Sequence, residues 1–218
     1  IPKVEGAKPA GIEDFNFPTA AERPIQVVFG TCEVKGANVL WYGDLSTRPI
    51  VNKVKSLFNI TKTVTGHRYY MGVQMGITHG PDVILRKIKF GDDIAWSGTS
   101  LGQQDYTLSG QSDSGIIDIN KPELFGGDTG NGGVSGRVRF YSGSRNQATN
   151  SYLKSVLGDG RVSALRSISY VVLEKCYIGN SPAPAAVSFE VSRYSPGPDF
   201  ELGSVYGYAS IYAQVGPG

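Results

Sequence analysis

The chain has little of what metal and nucleophile chemistry requires. Two histidines and two cysteines occur in 218 residues, which leaves little for His/Cys metal sets or histidine-based acid–base work. Charged residues make up 18% and the net charge is +2, so the chain as a whole lacks the basic excess of a general nucleic-acid binder. No apolar run approaches the about 18 residues of a transmembrane helix. The opening IPKVEGAKPAGIEDF has no basic stretch leading into an apolar one and does not read as a signal peptide. Beginning at Ile1 rather than Met, the sequence reads as a processed product or a piece of a longer polypeptide.

What is present points to β structure. Glycine supplies 29 residues, about 13% and roughly twice the usual share. Hydrophobic residues at 40% are too many for a disordered chain, and the length suits one large domain or two small ones. Residues 1–23 hold three prolines and no periodicity, and read as an extended arm that packs on its own domain or on a neighbour. From Pro24 onward, Ile25–Thr31, Glu33–Lys35 and Ala37–Tyr42 read as strands around a Lys35-Gly36 turn. His67–His79 is aromatic and β-branched, and Gly72 and Gly76 would each cost a helix about 1 kcal/mol, so it reads as a strand. Val83–Phe90 and Asp93–Trp96 form a hairpin around Gly91-Asp92. Further strands are expected at 115–119, 134–141, 167–178, 186–194 and 204–215. One short helix is expected at 147–157, with Tyr152, Leu153, Val156 and Leu157 on one side and Gly158 as its stop. The fold class is therefore mainly β, a β-dominated α+β chain. Its organisation reads as an arm (1–23), a β region (24–194) divisible near 98–136, and a C-terminal strand segment (195–218).

Charge is distributed in blocks. Residues 48–89 carry eight basic residues, among them Arg48, Lys53, Lys62 and Arg68, against Asp82 alone. Residues 90–136 carry seven acids, including Asp92, Asp93, Asp118, Glu123 and Asp128, against Lys121. Residues 137–175 return to seven basic residues against Asp159 and Glu174. Interspersed surface charge accounts for this pattern; so do complementary patches between neighbouring copies. Cys32 and Cys176 sit in strand-like apolar stretches and read as buried free thiols, with a disulfide as the alternative.

Sites of known chemistry are not completed. Gly98-Thr-Ser-Leu-Gly102 fits the G-x-S-x-G pattern, but a nucleophile elbow needs a helix next and a later histidine; both His67 and His79 precede Ser100. These histidines bracket one strand, roughly 40 Å apart if extended, and cannot share a metal. Asp92-Asp93 is explained by turn preference. The tract Gly126–Gly133, with five glycines in eight residues, lacks the Lys-Ser/Thr of a P-loop and the staggered acids of a calcium loop. Asn59-Ile-Thr61 matches a glycosylation sequon, relevant only in a eukaryotic secretory protein. Trp41, Tyr42, Tyr69, Tyr70, Trp96, Tyr106 and Tyr141 read first as core and cross-strand pairs, and second as a platform for sugar or single-stranded nucleic acid. No catalytic, cofactor-binding or metal-ligating residue is assigned, and no cofactor is expected.

Several blocks resemble, in order, the tail-hub or tip-attachment (baseplate hub) proteins of long-tailed bacteriophages and gene transfer agents. Arg23-Pro-Ile-Gln-Val-Val-Phe-Gly-Thr running into Gly36-Ala-Asn-Val-Leu-Trp-Tyr-Gly-Asp44 is similar to that family's opening. Tyr69–Gly80, Ile88–Gly98, Leu124-Phe-Gly-Gly127, Gly132-Gly-Val-Ser-Gly136 and Phe140-Tyr-Ser-Gly143 follow. Ser169-Tyr-Val-Val172, Tyr177-Ile-Gly-Asn-Ser181 and Ser188–Arg193 complete the set, which covers about residues 23–194. The resemblance implies a β-barrel-like hub domain in a homotrimeric ring at the distal end of a tail tube, with no enzymatic role. That ring docks on distal tail protein, carries tip or fibre proteins, and lets DNA pass without sequence-specific binding. It implies location at the tail tip of a virion. A receptor- or glycan-binding module at the tip is the alternative, favoured if Tyr69, Tyr70 and Tyr106 share an exposed groove.

Overall fold

A computed structural model describes residues 8–17, 24–55, 60–103 and 114–193. Nine strands are named among them: β1 (Gly30–Lys35), β2 (Asn38–Lys55), β3 (Ile60–His79), β4 (Val83–Phe90), β5 (Asp93–Ser100), β6 (Ile116–Lys121), β7 (Val134–Ser142), β8 (Ile168–Gly179) and β9 (Val187–Arg193). They form two sheets, ordered β1-β9-β4-β5 and β2-β3-β8-β7-β6, and every pairing is antiparallel. The mainly β expectation holds. The barrel-like expectation is corrected: two separate sheets face one another, and no strand pairing among the described residues closes them into a barrel.

One buried cluster lies between the sheets. Val34, Val83, Leu85, Ile88, Phe90, Phe189 and Val191 enter it from the first sheet. Met71, Val73, Met75, Ile77, Val138, Phe140, Val171, Leu173 and Cys176 enter from the second. Simple alternation does not produce this set, because the inward residues of β4 switch from odd (83, 85) to even (88, 90). A register shift between Leu85 and Lys87 supplies the extra residue, as a β-bulge does. The same switch occurs in β8, from 171 and 173 to 176 and 178. There Lys175 takes a positive φ of 53°.

The outer face of the five-stranded sheet is also covered. Helix α1 (Ser151–Leu157) begins where the Asn150 side chain accepts a hydrogen bond from the Leu153 N–H at 2.8 Å, an ordinary N-cap. It ends at Gly158, φ 95°. The helix is therefore shorter than the expected 147–157. Gln147 is instead fully buried and pins the flanking loop, its Nε2 donating to the Ala164 and Leu165 carbonyls at 2.8 Å each. Leu153 packs with Tyr141, Tyr170 and Val172, and the two tyrosine rings stack at 4.3 Å. Both faces of β8 are thereby buried, which explains its continuous apolar sequence.

Other expectations shift. Residues 24–29 are not a strand. They run beside the end of β3, where the His79 N–H and Thr78 Oγ1 both donate to the Gln26 carbonyl. β1 follows, pairs with β9 rather than β2, and leaves Cys32 exposed; Cys176 is buried, and both are free thiols. Burial pushes the Cys176 thiol up to about 12. In the N-terminal arm, Phe15 and Phe17 join the core, Phe15 meeting Tyr69 edge-on at 5.3 Å. The expected strand at 204–215, Asn59 of the sequon and Tyr106 lie outside the described residues.

Candidate functional site

The longest strand pairing among the described residues extends past the body. β3 pairs with β8 only from Tyr69↔Gly179 to His79↔Ile168. Beyond Tyr69, the β2–β3 ladder alone continues, from Arg48↔Arg68 to Lys55↔Ile60. At about 3.3 Å per residue, eight residues make a ribbon roughly 25 Å long. The sequence expectation stopped β2 at Tyr42 and began β3 at His67, so this ribbon was missed. The available signal was compositional: between Asp44 and Asp82 the chain contains no acidic residue.

The ribbon sets like charges directly across from one another at two levels, Arg48↔Arg68 and Lys53↔Lys62. Such pairs are destabilising, by on the order of 1 kcal/mol or less where water screens them. The inner pair is compensated. Arg68 forms a two-pronged ion pair with Asp128, Nε donating to Oδ1 at 2.8 Å, and this bond pushes the guanidinium further above its ordinary value. Arg48 lies 4.9 Å from the centre of the Tyr70 ring, a cation–π contact. The outer pair has no compensating partner among the described residues. Lys53 and Lys62 are exposed, and neither belongs to any ion pair among the described residues.

At the base of the ribbon is an open cleft of about 640 Å³, lined by Arg68, Tyr70, Glu123, Asp128, Thr129 and Tyr177, among others. Tyr70 and Tyr177 face each other at 5.5 Å, and burial raises the Tyr177 hydroxyl above its ordinary value. The glycine tract forms the opposite wall. Gly127 and Gly132 pair across a tight loop, each N–H donating to the other's carbonyl at 3.0 and 2.9 Å. Asn180 holds the loop, donating from Nδ2 to the Gly127 carbonyl at 3.1 Å and accepting from the Tyr177 hydroxyl at 2.6 Å. At Gly132, φ is +88° and an added Cβ would lie 2.2 Å from that hydroxyl. The tract is thus a packed wall whose glycines are required by backbone shape and close approach.

The remaining candidates fall elsewhere. Ser100 is 4% exposed at the end of β5, opposite Leu85, and accepts a hydrogen bond from the Gly102 N–H at 3.3 Å. Residues 101–103 after it are not helical, and Ser100 itself is a buried strand residue. His67 lies on the ribbon opposite Pro49, and His79 lies at the far end of β3 opposite Ile168. No cluster of three or more His, Cys, Asp or Glu side chains fit to hold a metal occurs among the described residues. No helix among them is long and apolar enough to cross a membrane. Asp92 and Asp93 are exposed at the β4–β5 turn. Of the aromatics, Tyr69 and Tyr141 are buried. Trp41, Tyr42, Tyr70 and Trp96 are partly covered. Tyr177, absent from the sequence-based set, is the second tyrosine of the cleft.

No family model matches the chain, and no curated protein matches it. Among solved structures it is similar to a chain in the virion of a native gene transfer agent (GTA) particle, with a TM-score of 0.46 and 17% sequence identity. The alignment covers 99% of this chain and 36% of that one, so this chain spans about a third of the length of the chain it matches.

Proposed function

We propose that this chain is a structural virion protein of a tail tip or baseplate, three copies of which form a hub ring at the distal end of a tail tube. The observation that carries this reading is the ordered set of sequence blocks across residues 23–194, which resembles tail-hub proteins along its whole course. Those blocks coincide with the framework of the fold. They include the turn at Gly91 (φ 60°), the loop pair Gly127 and Gly132 (φ 61° and 88°), and Gly136, Gly143 and Gly179 (φ 137°, 86° and 120°). The antiparallel body adds support, since its edge strands β1, β5, β2 and β6 offer backbone groups that neighbouring copies or other tail proteins can cover. In this role the ring joins distal tail protein to tip or fibre proteins, and DNA passes through its lumen without base-specific contacts.

The test is electron-microscopic class averaging of the purified chain. Three-fold rings with a central opening are expected. Particles without rotational symmetry would overturn the hub reading.

The cleft favours one second reading, a receptor- or glycan-binding module. The partly covered Tyr70 lines the cleft beside Arg68, Glu123 and Asp128, a mixture suited to sugar, while Tyr177, 3% exposed, backs it. The buried Tyr69 takes no part. Loss of glycan-array binding on Tyr70→Ala and Tyr177→Ala substitution would support this reading; an array with no signal for the unaltered chain would remove it.

A further inference from the structure

The Lys53–Lys62 pair meets no carboxylate among the described residues of its own chain. Val51 and Lys53 lie on one face of the ribbon, because side chains two apart share a face, and their cross-strand partners Val64 and Lys62 share it. That face is apolar nearer the body and cationic further out; Val51 is 42% exposed. Among the described residues, exposed carboxylates stand beside an exposed apolar side chain at Ile12-Glu13-Asp14, where Asp14 Oδ2 already accepts from the Gly11 N–H at 2.8 Å, and at the β4–β5 turn, whose carboxylates accept no such bond. At the β4–β5 turn, Asp92 and Asp93 are exposed and belong to no ion pair among the described residues. Beside them Ile94 is 47% exposed. Lysines and carboxylates without ion-pair partners among the described residues of one copy can be satisfied together between two.

We propose that the ribbon face formed by Val51, Lys53, Val64 and Lys62 docks on the Asp92–Asp93 turn and Ile94 of a second copy of this chain. The contact is heterologous, joining different patches of the two copies, so it repeats around a ring when the rotation closes. It rests on the reading of the chain as a homo-oligomeric ring and names the surfaces that make it. A competing account exists for lysines on a ribbon with open edges: they discourage strand pairing between molecules. The two accounts differ in sign. Removing the lysines weakens association if they bind the acidic turn, and strengthens it if they only keep edges apart.

The experiment is sedimentation velocity on the full chain and four variants, with circular dichroism to confirm folding, since every substituted position is exposed. Lys53→Glu/Lys62→Glu and Asp92→Lys/Asp93→Lys are each expected to raise the apparent dissociation constant by about tenfold or more, because like charges then meet. The four substitutions combined are expected to restore assembly. Association of the unaltered chain is expected to weaken with added salt, as screening requires. Unchanged mass in both reversal variants, with an assembled unaltered chain, would overturn this docking while leaving the ring reading standing. A monomeric unaltered chain would overturn both. Increased association of Lys53→Ala/Lys62→Ala would replace docking by edge protection. Binding of a single-stranded oligonucleotide that is lost in Lys53→Glu/Lys62→Glu, without change in mass, would assign the ribbon to nucleic acid and overturn the proposal.

Discussion

Strands β2 and β3 run through both the body and the ribbon, under opposite rules in each. Within the body, β3 has β2 on one side and β8 on the other, and Met71, Val73, Met75 and Ile77 are each at most 2% exposed. Past Tyr69 the same strand keeps one described neighbour and presents Lys62 to solvent. Apolar burial accounts for the first region, at about 25 cal/mol per Å² removed from water. In the second, side chains contribute little to the stability of one copy and Lys53 opposite Lys62 subtracts from it. A segment that is costly to its own chain is explained by what it meets, so stability and assembly should separate by region.

The largest effect on stability is expected from Phe140→Ala. Phe140 is 0% exposed between the sheets, and a large-to-small change there costs about 3–5 kcal/mol. Chemical denaturation checks it. Next is Gly132→Ala, which combines a left-handed backbone with a Cβ that collides with the Tyr177 hydroxyl. A loss of about 1–3 kcal/mol is expected, together with altered Tyr177 fluorescence as the wall of the cleft shifts.

A smaller effect is expected at Asp44. Burial disfavours its charge, but the Lys175 ammonium at 2.8 Å and the Tyr152 hydroxyl at 2.9 Å outweigh this and hold its carboxyl below the ordinary 3.8. A lowered carboxyl stabilises the fold above its unfolded value and ceases to do so as pH falls through its folded value. Asp44→Asn should therefore lose about 0.5–1 kcal/mol at neutral pH. The gap between variant and unaltered chain should close as pH falls below 3.8. A gap independent of pH would remove the ionic account. The smallest effect on stability, within about 0.5 kcal/mol, belongs to Lys53→Ala/Lys62→Ala. If those substitutions destabilised the isolated chain as Phe140→Ala does, the division between body and ribbon would fail.

Local patterns disclosed most strands of the body. The β4–β5 hairpin was legible from Gly91-Asp92 between alternating segments, and α1 from its stop at Gly158. Alternation fails where β8 is buried on both faces and where bulges change parity near Leu85 and Lys175, since both depend on tertiary neighbours. The sequence displayed the basic run but not its geometry: which lysine faces which depends on the register of a long hairpin, and a one-residue slip would exchange the faces. The cleft was least legible. Its two tyrosines come from β3 and β8, and its wall depends on Asp128 reaching Arg68 from a loop 60 residues away.

The central claim is that this chain is built to associate with copies of itself, and the mass of the native assembly tests it most directly. Multi-angle light scattering at low and physiological salt should give about 70 kDa, three times the 23.3 kDa chain. A single species of 23.3 kDa at every concentration and salt would contradict it.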